Sequence, residues 1–183
     1  MKEKGHVLLC IFVLVVSAVL LAGCGDKKGA EAAVNEAMSA LVSGGAEDIP
    51  VLALDGSTVT GFENEGLARV ISGQLTYEVG EVSAKGKTAS ASLKITAPDT
   101  PAILQEALGE LDEYSDEAFI EAMSARLGRS HDTVSFDVEL ELKRIDGVWY
   151  IIPNAELTNA MTGGLLQMYE DTVQQVRNRL IGR

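Results

Sequence analysis

Two stretches of strict alternation limit what this chain can fold into. In the first, Ala89, Ala91, Leu93, Ile95 and Ala97 face one way and Thr88, Ser90, Ser92, Lys94 and Thr96 the other. In the second, Val134, Phe136, Val138, Leu140 and Leu142 alternate with Ser135, Asp137, Glu139, Glu141 and Lys143. Successive side chains of a strand point to opposite faces, so each stretch encodes a strand with one dry and one wet face, as in an antiparallel sheet. Each belongs to a hairpin. Leu75, Tyr77 and Val79 lead through Lys85-Gly86-Lys87 into the first stretch, and the second ends at Asp146-Gly147, a two-residue turn signal. Closing that turn pairs Leu142 with Ile151 and Arg144 with Trp149, which puts Trp149 and Ile151 on the face of Leu140 and Leu142. A three-residue loop would carry Trp149 to the acidic face, so burial selects the first register. Val148, Tyr150 and Ile152 then share the outer face with Glu141 and Lys143, where they need a cover or form an interaction surface.

Around the hairpins the apolar period is helical. Ala30, Ala33, Val34, Ala37, Met38, Leu41 and Val42 make one stripe, stopped by Ser43-Gly44-Gly45. Ile49 to Leu54 reads as one or two helical turns, Asp55-Gly56-Ser57 as a turn, and Phe62, Leu67, Val70 and Ile71 as a second helix. Between the hairpins, Thr100 caps a helix with Pro101 in its first turn, whose stripe is Ile103, Leu104, Ala107, Leu108 and Leu111. Ser115 caps the next, with Asp116 and Glu117 at its positive end and Phe119, Ile120, Met123 and Leu127 inward, as far as Gly128. Asn154 caps a short turn through Met161, and Gly163-Gly164 breaks it. A long helix with Leu165, Met168, Tyr169, Val173, Val176 and Leu180 on one face then follows, and it is the candidate cover for the outer strip. The expected fold is α+β: an antiparallel sheet of about four strands in two hairpins, packed against helices, with an inserted helical pair and a C-terminal helix.

The N-terminus carries an address. Lys2 and Lys4 precede an apolar run from Val7 to Leu21 interrupted only by Ser17, the parts of a secretory leader. The run is 15 residues, roughly 23 Å of helix against the about 30 Å of a hydrocarbon core. Extension to Gly25 narrows that gap, so the ending decides. Leu21-Ala22-Gly23-Cys24 resembles the bacterial lipobox, which implies cleavage before Cys24 and a diacylglycerol on its sulfur, with palmitate-type acyl chains as the membrane contact. Two chains make anchoring durable where one is marginal. The expected organisation is a signal peptide over 1–23, a lipidated cysteine and tether over 24–29, and a single α+β domain over 30–183. The protein is expected on the extracytoplasmic face of the cell membrane.

Cleavage would leave 160 residues, enough to bury a core without staples, and no cysteine beyond Cys24. That removes disulfides, cysteine nucleophiles and thiolate metal sites. The formal net charge of −12 becomes about −13 once Lys2, Glu3 and Lys4 are gone, and such acidity disfavours nucleic acid and makes the lipid, not a basic patch, the expected membrane contact.

The leading helix, the small alternating strand residues and the closing Leu-Lys-Arg-Ile-Asp-Gly-Val-Trp-Tyr-Ile of residues 142–151 are similar to the nuclear transport factor 2-like (cystatin-like) group. The resemblance spans roughly residues 30–165, extends to lipoproteins with a tail like Ala160-Met161-Thr162-Gly163-Gly164-Leu165, and implies a cone-shaped α+β fold. The helices at 101–128 are larger than a minimal cone needs. Some relatives are isomerases or dehydratases that use a polar group with a shifted pKa deep in an apolar cavity.

The residues speak against catalysis here. Ser130-His131-Asp132 are chain neighbours, which diverge, whereas triad members converge from separate elements. One histidine cannot build a typical zinc site. Asp137, Glu139 and Glu141 form a row where calcium wants a wrap of oxygens, and Glu110, Asp112, Glu113, Asp116 and Glu117 read as a loop and helix start. Gly163-Gly164 lacks a phosphate-loop lysine. Tyr77 is the one inward polar candidate, with Arg144 at a strand's end. The expectation is therefore a membrane-anchored, non-enzymatic binding or accessory domain with no cofactor and no metal, in contact with lipid through Cys24 and with a protein partner or second copy through Val148, Tyr150 and Ile152. The alternative is a cone-fold enzyme or ligand carrier with an interior pocket.

Overall fold

The structure, a computed structural model, describes residues 26–45, 49–53, 55–60, 67–111, 113, 115–129 and 132–181. The leader and Cys24, Phe62, Asp112, Ser130 and His131 lie outside the described residues. Helix α1 covers residues 26–43. It is followed by β1 (Pro50–Leu52), β2 (Thr58–Thr60), α2 (Leu67–Ser72), β3 (Thr76–Lys85), β4 (Thr88–Pro98), α3 (Thr100–Gly109) and α4 (Asp116–Leu127). Then come β5 (Thr133–Ile145), β6 (Val148–Ile152), α5 (Ala155–Met161) and α6 (Leu165–Ile181).

The alternating stretches are the central strands β4 and β5, paired without interruption from Thr88↔Lys143 to Pro98↔Thr133. The closing hairpin takes the register that burial requires, with Leu142↔Ile151 and Arg144↔Trp149, over a turn in which Asp146 and Gly147 both have positive φ. Between Val79 and Val82 the β3–β4 register shifts by a bulge. There the Ser92 hydroxyl accepts from the Glu81 backbone N–H at 2.9 Å, and a Cβ on Gly80 would collide with it.

Two expectations are corrected. The sheet has six strands in the order β2-β1-β6-β5-β4-β3, and it is mixed, because β1 runs parallel to β6 at Val51↔Ile151. Within the expected helical turns of Ile49 to Leu54, Pro50–Leu52 is a strand, and Leu54 lies outside the described residues: held between β2 and β6, Val51 and Leu52 gain more from pairing on both sides than from an isolated turn. The Asp55-Gly56-Ser57 turn joins β1 to β2, its Asp55 carboxylate accepting from the Ser57 backbone N–H and hydroxyl. Those bonds hold the Asp55 carboxyl below its ordinary value.

One face of the sheet, with Ala91, Leu93, Ile95, Val138, Leu140, Leu142 and Ile151, packs on Ala30, Val34, Ala37, Met38 and Leu41 of α1 and on Leu157 and Ala160 of α5. The α+β class is as expected, with two strands more than the about four foreseen. A second, smaller cluster joins Ile71, Ile103, Ala107, Met123 and Leu127 from α2, α3 and α4. Leu108 and Ile120, expected inward, are exposed. Caps at Ser115 and Asn154 are as expected. The α3 cap is Asp99, one residue before the expected Thr100, whose hydroxyl instead donates to the Pro98 carbonyl from a fully buried position.

Candidate functional site

Both long hairpins turn at the same end of the sheet, since Thr88, just after one turn, faces Lys143, just before the other. The Arg144 backbone N–H donates to the Lys87 carbonyl at 2.8 Å and joins the two turns. The Arg144 guanidinium donates to the Asp26 carboxylate in the first turn of α1 and stands 5.4 Å from the centre of the Trp149 ring. Residues 26–29 are therefore helical and fastened to the sheet, which corrects the tether expected over 24–29 for that part. Asp26 at a helix N-terminus opposite a half-buried arginine supplies the physical reason. Gly29 lets the helix close on the sheet: a Cβ there would stand 3.0 Å from Trp149 Nε1.

Beside this joint lies an open groove of about 550 Å³. Its walls include Ala32, Ala33, Ala37 and Ala40 of α1, Ile49 and Pro50 before and at the start of β1, and Val148 and Trp149 of β6, with Glu36 and Arg144 as its charged members. Topology explains the opening. Among the described residues β1 meets β6 only at Val51↔Ile151, so the edge of β6 at Trp149 has no partner strand. The alanines of α1 are too small to fill the space that results.

The outer strip is where the register placed it, with Lys143↔Tyr150 and Glu141↔Ile152. Val148 is 45% exposed and also lines the groove; Tyr150 and Ile152 are half-buried. The cover expected for this strip is a correction. Helix α6 packs on α5 and α3 instead, has no buried residue, and leaves Tyr169 65% and Leu180 74% exposed. The positive-φ pair Gly163 and Gly164 turns it away, because the Thr100 backbone N–H donates to the Gly163 carbonyl at 3.2 Å and draws the corner onto the start of α3.

Tyr77 faces inward, as expected, and its hydroxyl donates to the Asn35 carbonyl at 3.5 Å, a tie between sheet and helix. Asp137, Glu139 and Glu141 are exposed along β5, and the described residues include no group of three His, Cys, Asp or Glu placed to hold a metal. No described helix is long and apolar enough to cross a membrane. A polar cleft of about 290 Å³ between α3 and α4 is lined by Asp99, Glu106, Arg126, Arg129 and Asp132. Within it Arg126 donates to Glu106 at 2.6 Å and holds both oxygens of Glu110, whose carboxyl is thereby kept below its ordinary value. The sequence reading missed the groove and this clamp. The i, i+4 pair Glu106 and Glu110 was a visible signal for a facing cation.

No protein-family profile and no curated protein matches this chain. A solved structure of an M.tuberculosis LEH-like epoxide hydrolase is similar at 14% sequence identity, covering 80% of this chain and 94% of that one with a TM-score of 0.33. At that score nothing about activity or site residues transfers.

Proposed function

We propose that this chain is a lipid-anchored, extracytoplasmic binding domain, attached through Cys24, whose ligand occupies the groove between α1 and β6. The observation that carries the reading is the groove itself: apolar walls, one indole, and an arginine and a glutamate at its margin, in a volume typical of small-molecule sites. Its lining suits an amphipathic ligand, an apolar body against the alanines and Trp149 with a polar end toward Arg144 or Glu36. The enzyme alternative wants an enclosed chamber on the inner face of the sheet. That face is occupied by Val34, Met38 and Leu41, none more than 2% exposed, which favours a surface groove. A partner protein at Val148, Tyr150 and Ile152 would then be reached from the groove's rim.

Native mass spectrometry of the full chain tests the groove. The wild type should retain a small molecule that Ala32→Trp, which fills the groove from its exposed rim, loses at unchanged thermal stability. Retention by the filled variant would sink the site. Anchoring is tested separately, by a diacylglycerol on Cys24 and loss of residues 1–23; an intact first methionine with a free thiol would sink that part.

A further inference from the structure

Cations in this acidic chain are unevenly placed. Lys27 and Lys28 on α1, Lys85 and Lys87 at the β3–β4 turn, and Lys143 and Arg144 at the β5–β6 turn come from three separate segments. The fold gathers them at one end. Lys85, Thr88 and Lys143 lie in register on the outer face, the Arg144 backbone ties to Lys87, and its side chain ties to Asp26 beside Lys27 and Lys28. All five lysines are exposed. The carboxylates nearest to them are Asp26, already paired with Arg144, and the exposed Asp146 and Glu31, with Glu81 and Glu141 further along their strands. An excess of positive charge thus sits at one end of a chain whose net charge is −12.

Position selects the partner. Cys24 precedes Asp26 by two residues, a reach of at most about 7 Å even when fully extended. A lipid on Cys24 therefore brings this end, and no other, against the headgroups. We propose that the first turn of α1 and the turns at 86–87 and 146–147 form a docking face for anionic lipid headgroups, which orients the domain on the bilayer with the groove opening at its surface. The inference rests on the Cys24 anchor proposed above. Basic residues beside an anchor are drawn to anionic lipid over a Debye length, so the contact is sensitive to salt.

The test uses the wild-type full chain in vesicles of phosphatidylcholine alone or with 30% phosphatidylglycerol. A water-soluble amine-acylating reagent is followed at each lysine by mass spectrometry, with Lys94, exposed in mid-sheet, as the internal standard. Anionic vesicles should slow Lys85, Lys87 and Lys143 relative to Lys94 by about fivefold, and high salt should restore them. Equal rates in both vesicles would overturn the face, as would equal slowing in both, which is proximity without charge recognition. Slowing by dissolved polyphosphate but not by anionic vesicles would assign the cluster to a soluble polyanion and overturn it too. The same digest reads Cys24. A lipidated cysteine with unprotected lysines leaves the anchor and removes the face; a free thiol with protected lysines does the reverse.

Discussion

The sheet core and the helical cluster of α2, α3 and α4 are built on different terms. In the sheet, every inward position of β4 from Ala89 to Ala97 is buried, and strand pairing fixes each one. In the helical cluster the buried apolar side chains among the described residues are Ile71, Ile103, Ala107, Met123 and Leu127, while Leu108 and Ile120 on the same helices stay exposed. Around those few side chains pack half-buried Leu104, Phe119 and Ala122, and the Arg126 clamp on Glu106 and Glu110 adds a polar tie between α3 and α4. The difference teaches where stability and freedom reside: a sheet that holds position for the groove, and an attachment whose loosening should leave the groove in place.

The sharpest way to break this contrast is to cut equivalent volume from each side. Leu140→Ala, at a fully buried position in the sheet, should cost about 4 kcal/mol and shift the whole denaturant transition. Met123→Ala should cost about 2–3 kcal/mol, and native-state hydrogen exchange should show its loss first in residues 100–127. If both variants weaken all amides equally, the two regions unfold as one unit and the contrast fails.

The next test sits at the seam. Gly163 has φ +60, and a Cβ there would overlap the Thr100 hydroxyl and the Pro98 carbonyl, where the α5–α6 corner meets the β4–α3 joint. Gly163→Ala should cost about 3 kcal/mol, from left-handed strain and displacement together, while Gly86→Ala, with open space around its Cβ, should cost only the backbone strain of about 1 kcal/mol. Equal losses would mean that the corner is free to shift.

The Asp26 joint sharpens the sheet side. Asp26→Asn keeps the shape and removes the charge opposite half-buried Arg144, for an expected cost of about 1 kcal/mol and earlier exchange in the first turn of α1. Unchanged exchange there would mean that Gly29 packing on Trp149 holds the helix start alone.

Most of the sheet was legible because a period of two admits one register once Trp149 must be buried. The site was less so. Val148, Tyr150 and Ile152 followed from that register, but the groove depends on β1 touching β6 at one residue pair, a long-range fact that three residues of Pro50–Leu52 cannot announce. The tether reading of 26–29 failed because Asp26-Lys27-Lys28-Gly29 has loop composition, and its helix is secured by Arg144, 118 residues away. Helix α6 misled for the opposite reason: its apolar stripe is real, yet the Gly163 corner aims it away from the strip it could have covered.

The smallest effect expected is at the Arg126 clamp, and its pH dependence tells it from a packing effect. Glu110 donates nothing and accepts two guanidinium bonds, so its folded pKa lies below the ordinary 4.5. A carboxyl depressed on folding adds stability that is complete above the unfolded value and is lost as pH falls through the folded one. Arg126→Gln should therefore lower the melting temperature slightly at neutral pH, and the wild-type and variant curves should converge in acid as Glu110 protonates. Salt should shrink the gap as well, since the pair is exposed. Asp55, depressed by Ser57 at the far edge of the sheet, titrates alike in both proteins and cancels in the difference. A gap that stays constant into acid would assign the loss to the Arg126 side chain's packing, and would put the helical cluster on the same footing as the sheet.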